Sequence, residues 1–156
     1  MEVTTRLARV DDLEVVTALC EFGTEELRPH RGGAVWAQWE ARPEPKGESI
    51  RATHDSPSSG LIVGTIDEAI VGYAAVDQVT LHDATQIGNV TDLYVLPDAR
   101  GVGVGEAMME LLLTWCADND CVGIESIALP GDRATKNFFE TFGLVARALR
   151  VHRRLD

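Results

Sequence analysis

Residues 100–105, Arg100-Gly101-Val102-Gly103-Val104-Gly105, alternate glycine with other residues between an apolar run and an amphipathic one. Glycines at this spacing let a backbone approach an anion closely, because a β-carbon would obstruct the approach or exclude the dihedrals it needs. Where such a turn leads from a strand into a helix, the first-turn N–H groups lack intrahelical partners and converge on one spot, which the helix dipole makes partly positive. Phosphate is the group that such a spot attracts, and Arg100 would add a full charge beside it. Two familiar glycine motifs are excluded. GxGxxG fails because Glu106 and Met108 stand where the third glycine is required, and GxxxxGK[ST] fails because the chain has no Gly-Lys-Ser or Gly-Lys-Thr.

The elements that would hold this turn follow from periodicity. Residues 3 to 9 alternate as a strand, and Asp11 or Asp12 stands where an N-cap belongs, ahead of Leu13, Val15, Val16, Ala18, Leu19 and Phe22 at helical spacing. From Glu25 to Gly60 the pattern loosens. A short helical piece around Ala34 to Ala41 carries Trp36 and Trp39, and the Pro- and Gly-rich stretches 42–47 and 55–60 then read as connections. Leu61 to Ile66 and Ala69 to Val79 read as a hairpin closed by Asp67-Glu68. Ile87 to Leu96 is a strand ended by Pro97, and residues 102–118 carry Val104, Met108, Leu111, Leu112 and Trp115 on a helical stripe. Gly123 to Leu129 is a further strand, Asp132 to Phe142 a helix with Gly143 at its C′ position, and Leu144 to Leu155 a final strand. The order is an α/β pattern with a mainly antiparallel first half.

At 156 residues the chain fits one compact domain with a core of its own. No run approaches the roughly 20 apolar residues of a membrane span, and residues 1–6 lack the basic and apolar regions of a secretory signal. A cytoplasmic location without membrane partners is therefore expected. Fourteen basic against 25 acidic residues give a formal charge of −11, which opposes nucleic acid as a partner and would steer a cationic amine inward. Cys20, Cys116 and Cys121 form no CxxC pair, so reduced structural thiols are expected and a metal site has no support.

The segment Leu93-Tyr94-Val95-Leu96-Pro97-Asp98-Ala99-Arg100-Gly101-Val102-Gly103-Val104-Gly105 resembles the coenzyme A motif of the Gcn5-related N-acetyltransferase (GNAT) family, in which Arg/Gln-x-x-Gly-x-Gly/Ala follows a strand. Asp132 to Leu144 resembles the same family's later helix, Asn-x-x-Ala-x-x-φ-Tyr-Glu-x-x-Gly-Phe, where φ is apolar. The resemblance covers nearly the whole chain. It implies a central mixed, mostly antiparallel sheet of about six to seven strands with about four flanking helices, splayed at the acetyl-coenzyme A site. It also implies that backbone along Leu93, Tyr94 and Val95 pairs with pantetheine and the acetyl group. The amides of Gly101, Val102, Gly103, Val104, Gly105 and Glu106, with Arg100 beside them, would cradle the pyrophosphate, and Asp132 and Phe139 would lie close to the coenzyme. Val95 N–H would stabilise the oxyanion of a tetrahedral intermediate. The implied activity is direct transfer of acetyl from acetyl-CoA, the co-substrate, to a primary amine of a small molecule or a peptide. The alternative is an acyl-CoA binding or sensing module of the same fold.

Three departures from the family pattern concern catalysis. A lysine-like amine of pKa about 10.4 must lose a proton before it attacks, yet Asn89 and Thr91 occupy the strand positions where many members place a glutamate. Asp92 is the strand's one carboxylate, and alternation sets it on the face opposite Asn89, Thr91 and Leu93. His82, in the turn before this strand, and His30, after the first helix, are the other candidate bases. Phe139 stands where a tyrosine commonly meets the leaving thiolate, and Asp132 and Thr135 replace the usual Asn and Ala. The acceptor pocket would be built by the segment from Glu25 through Trp39, where Glu25 and Glu26 read as a solvated helix end and Trp36 and Trp39 as cover for a core edge. An exposed final strand, Ala146 to Leu155, would close the sheet or pair with a second copy as a homodimer.

Overall fold

The computed structural model describes all residues, 1–156. One sheet of five strands is laid down in chain order, β1 (Val3–Leu7), β2 (Ser59–Ile66), β3 (Ala69–Thr80), β4 (Gln86–Val95) and β5 (Cys121–Ser126). The first three pairings are antiparallel; β4 and β5 run parallel, which requires a crossover, here a helix. The helices are α1 (Leu13–Leu27), α2 (Gly33–Gln38), α3 (Lys46–Asp55), α4 (Val104–Asp118) and α5 (Arg133–Thr141). No helix is long and apolar enough to cross a membrane.

Each sheet face carries its own apolar cluster. Leu13, Val16 and Leu19 of α1 and Ile50 of α3 pack on Leu61, Val63 and Tyr73. Met108, Met109 and Leu112 of α4 pack on Ile62, Ala74, Val76 and Val90, joined by Phe139 of α5. Strand glycines set how closely α4 can lie. A β-carbon on Gly60 would stand 2.7 Å from Trp115 Nε1, one on Gly64 2.6 Å from Val104 Cγ1, and one on Gly88 would overlap Cys116 Sγ. Residues of this kind at a strand interior mark a close approach from above.

Four expectations change. The sheet has five strands, not six to seven, because the segment from Leu144 to Leu155 pairs with nothing; its residues from Val145 onward are exposed. A helix, α3, occupies part of the stretch read as connections. Asp12 stands at the N-cap position of α1, but its carboxylate accepts from the Arg6 guanidinium at 2.6 Å and from Arg9 N–H at 2.7 Å instead of from helix amides. The Arg6 hydrogen bond holds this carboxyl below the usual range. Finally, the β3–β4 ladder pairs Ala75 with Asp92 but Val76 with Val90, so Thr91 is an extra residue in a β-bulge. Asp92 consequently shares a face with Asn89, which pairs with Asp77, while Leu93, opposite Ala74, points to the other side as expected.

Candidate active site

The β4–β5 ladder runs only from Gln86–Cys121 to Val90–Ser126. Beyond it the strands part, and a cavity of about 770 Å³ opens between Thr91–Val95 and Ile127–Leu129. Leu96 N–H donates to Val71 O, so backbone alternation turns the amides and carbonyls of Leu93 and Val95 away from β3 and into this opening. The cavity is continuous from Arg100, Gly101 and Glu106 at one end to Trp36, Glu40 and Arg42 at the other.

At the first end, Gly101 and Gly103 have φ of +84° and +99°, left-handed values that favour glycine, and no heavy atom lies within 4 Å of where their β-carbons would be. None of the six amides from Gly101 through Glu106 donates to a protein acceptor; the first bond of this helix is Ala107 N–H to Gly103 O. Open space, six free donors and the dipole of the 15-residue α4 fit the phosphates of a coenzyme. Arg100 is turned toward the cavity's other wall. Its Nε donates to Val95 O at 2.8 Å, its Nη2 pairs with Glu26 at 2.8 Å, and the guanidinium lies 5.5 Å from the Tyr94 ring centre. Burial, then the Glu26 charge, raises the Tyr94 phenol. Tyr94 packs against α1 where Gly23 leaves room for its ring.

Asp132 and Phe139 both line the cavity from α5. Asp132 caps that helix, accepting from Thr135 N–H at 3.2 Å and Thr135 Oγ1 at 2.6 Å, so the two departures from the family helix form one interacting pair. Phe139 is buried and meets Phe138 edge to face, with ring centres 5.8 Å apart. Val104 and Gly105 line the cavity; Val102 and Gly103 belong to the turn outside it.

Beneath the other end lies a buried polar group. Arg42 Nε donates to Asp92 Oδ2 at 3.0 Å, Tyr73 Oη donates to the same oxygen at 2.6 Å, and Thr91 Oγ1 donates to Oδ1 at 2.6 Å. Arg42 Nη1 is held by Ser49 O, Ser49 Oγ and Thr53 Oγ1, all from α3. Burial opposes the Arg42 charge, but the facing Asp92 outweighs it and keeps the guanidinium's pKa raised. Burial and then the Asp92 charge push the Tyr73 phenol well up. Burial, then Asp92, raises the Cys20 thiol, and burial pushes Cys116 up to about 12, so neither supplies a thiolate nucleophile.

His30 lines the cavity, and its Nδ1 is buried without a hydrogen-bond partner. His82 is exposed in the β3–β4 turn and away from the cavity wall. Glu25 pairs with Arg28 on the surface, whereas Glu26 reaches the cavity. Trp36 and Trp39 also line it, and Trp39 is 68% exposed, so this pair does not seal a core edge. Arg42 and Tyr73 escaped the sequence reading. Arg42 precedes the Pro43-Glu44-Pro45 stretch, which signals a turn, and Tyr73 follows the ordinary alternation of a strand.

The fold and the cavity define a class, an α/β protein whose strand-to-helix glycine turn heads a split between parallel strands. The family model for the acetyltransferase (GNAT) family matches residues 19–144, and the chain belongs to that family. An aminoglycoside N(6')-acetyltransferase type 1 from Stenotrophomonas maltophilia is 28% identical over 97 residues, covering 56% of this chain and 63% of the relative. An uncharacterized N-acetyltransferase from Archaeoglobus fulgidus is 32% identical over 63 residues, covering 39% of this chain and 43% of the relative. The matched region thus spans less than two thirds of either relative. Among solved structures, a tetramutant protein from Bacillus halodurans superimposes with a TM-score of 0.79 at 21% identity, covering 99% of this chain and 100% of that one. The aminoglycoside acetyltransferase AAC(6')-Iy, in complex with a CoA-containing bisubstrate analog, does so with a TM-score of 0.77 at 14% identity, covering 100% and 99%. At these identities the likeness is one of fold.

Proposed function

We propose that residues 1–156 form a single N-acetyltransferase domain that moves an acetyl group from acetyl-CoA to a primary amine of a small cationic molecule. The observation that carries this reading is the row of six unpartnered amides from Gly101 to Glu106 at the head of a cavity that continues to an acidic, aromatic far end. The amides would hold the pyrophosphate, and the open edge of Leu93 and Val95 would pair with pantetheine. Val95 N–H faces the opening and would stabilise negative charge on the thioester oxygen as the amine nitrogen bonds to the carbonyl carbon and the carbon–sulfur bond breaks. The names of the aminoglycoside acetyltransferases among the related proteins favour a polyamine-like acceptor, whose charges would take the place that Arg150 holds against Glu40 and the Trp39 ring.

Proton removal falls to His30, which lines the cavity with an unpartnered Nδ1, or to solvent. Asn89 and Thr91 are not bases, both Asp92 oxygens are engaged, and His82 is away from the cavity. Asp92 then acts by positioning Arg42 and Tyr73 under the acceptor. Phe139 offers the leaving thiolate no proton, which a thiol of pKa near 8.5 tolerates.

Isothermal titration with acetyl-CoA, followed by thiol release against a panel of amines that includes aminoglycosides, tests the proposal. Expected are binding on the order of micromolar, its loss in Gly103→Trp with the circular dichroism unchanged, and thiol release that depends on the amine. Absence of binding overturns the reading, and binding without release against the whole panel overturns the transferase.

A further inference from the structure

Arg42 and Arg100 are the two full cations on the cavity wall, and only Arg100 stands at the glycine-turn end, beside the free amides. Its guanidinium is held at three points, none of them in that turn. Nε donates to Val95 O at 2.8 Å, Nη2 donates to both carboxylate oxygens of Glu26 at 3.0 and 2.8 Å, and the group lies 5.5 Å from the Tyr94 ring centre. The Arg100 and Glu26 side chains are 45% and 36% exposed, and an ion pair as open as this is readily exchanged for another.

Two of these contacts use atoms that the proposed substrates would need. Val95 O belongs to the edge that would pair with pantetheine, and Glu26 lines the cavity with its charge neutralised. Five carboxylates line the cavity in all. Asp92 is fixed by Arg42, Glu40 is paired with Arg150, and Asp132 caps α5, while Glu106 lies in the first turn of α4. Glu26 alone is paired with a cation from the phosphate-binding end. The two residues are 74 positions apart in the chain, one on α1 and one in the turn after β4, so their contact ties the wall of the cavity to its head.

We infer that Glu26 receives a positive charge of the acceptor, and that Arg100 masks it until the guanidinium leaves for coenzyme phosphates seated on the glycine-turn amides. The inference rests on the acetyltransferase reading and adds to it a specificity residue and a coupling between the two substrates. Arg100 gives up Val95 O and Glu26 together, because one guanidinium makes both bonds. Glu26 is then a carboxylate without a partner on the cavity wall, and the Tyr94 ring face beside it is open to a cation. An ammonium group takes the place of the guanidinium. The nitrogen that attacks must be neutral, so the charge on Glu26 belongs to a second nitrogen, and the acceptor carries at least two amines. Linkage makes the coupling reciprocal: an amine on Glu26 also releases Arg100 toward phosphate.

Isothermal titration of the full chain with kanamycin A and, separately, spermine tests this, each with and without saturating coenzyme A, which has no acetyl group to transfer. At least one of the two amines should bind about three- to tenfold tighter when coenzyme A is present. In Glu26→Gln that amine should bind weakly and without regard to coenzyme A, while coenzyme A itself binds about three- to tenfold tighter than to the parent chain. In Arg100→Gln the amine should bind without coenzyme A as well as it binds the parent with it. Both side chains are partly exposed, so the circular dichroism of the variants should match the parent. A chain that binds no coenzyme A sinks the acetyltransferase reading itself. Coenzyme A binding with neither amine bound, with amine binding indifferent to it, or with the same coupling in Glu26→Gln as in the parent overturns this inference alone.

Discussion

Asp92 accepts from three residues at once, and each of them reaches it from a different part of the chain. Arg42 comes from the connection before α3, Tyr73 from β3, and Thr91 is its own neighbour in the bulge. The side chains of Arg42 and Asp92 are only 9% and 8% exposed. Removing one member of a buried ion pair leaves an uncompensated charge, which typically costs about 3–5 kcal/mol, whereas losing one neutral donor costs about 1 kcal/mol. Asp92→Ala should therefore lower unfolding stability in urea by about 3–5 kcal/mol and Tyr73→Phe by about 1 kcal/mol. The double variant Arg42→Met, Asp92→Leu should lose less than Asp92→Ala alone, because no charge is left unpaired. A single Asp92→Ala variant within about 1 kcal/mol of the parent chain would show that the pair is not structurally buried. None of this network could be read from residue spacing. Strand alternation assigns Asp92 a face only if no residue is inserted, and Thr91, an unremarkable β-former, gives no sign that it is inserted.

The elements that were legible in the sequence are those with an alternating or apolar stripe or a turn signal at their ends, namely β1, α1, α2, the β2–β3 hairpin, β4, α4, β5 and α5. Helix α3 gave neither signal. Its buried positions, Lys46, Ile50 and Thr53, follow helical spacing, but only one of them is apolar, and Pro45 before it reads equally as a turn. The final segment has the alternation of a strand, but a pattern specifies a face and not a neighbour. The glycine turn was legible because its chemistry lies in the backbone, where glycine identity itself is the signal. The glycines under α4 carry a different message. Gly88 pairs with Gln78 of β3 on one side and Ile124 of β5 on the other, and a methyl group there would overlap Cys116 Sγ and stand 3.3 Å from Val76 Cγ2. Overpacking of this kind costs about 1–3 kcal/mol. Gly88→Ala should be destabilised by that amount in thermal or urea unfolding, and Cys116→Ala in the same chain should restore a large part of it. Equal losses in the two backgrounds would mean that α4 does not press on β4 at this point.

Taken as a whole, the molecule presents opposite charge problems to its two proposed substrates. A formal charge of −11 attracts a cationic amine and repels a coenzyme that carries several phosphate charges. The coenzyme end answers locally with free amides, which act at hydrogen-bond range and are little affected by salt. The acceptor end, with Glu40 on the wall of an open cavity, adds to the long-range field. Screening lengths shrink from about 10 Å at 0.1 M salt to about 3 Å at 1 M, so the long-range part should fade while the local part persists. For an acceptor with three or more positive charges, kcat/KM should fall about three- to tenfold between about 0.05 and about 0.5 M salt, with kcat nearly constant. For a monoamine the fall should be smaller, and the KM for acetyl-CoA should stay level or drop. A multicationic acceptor whose kcat/KM is indifferent to salt would remove electrostatic steering from this account and leave the acidity of the chain without a part in choosing its substrate.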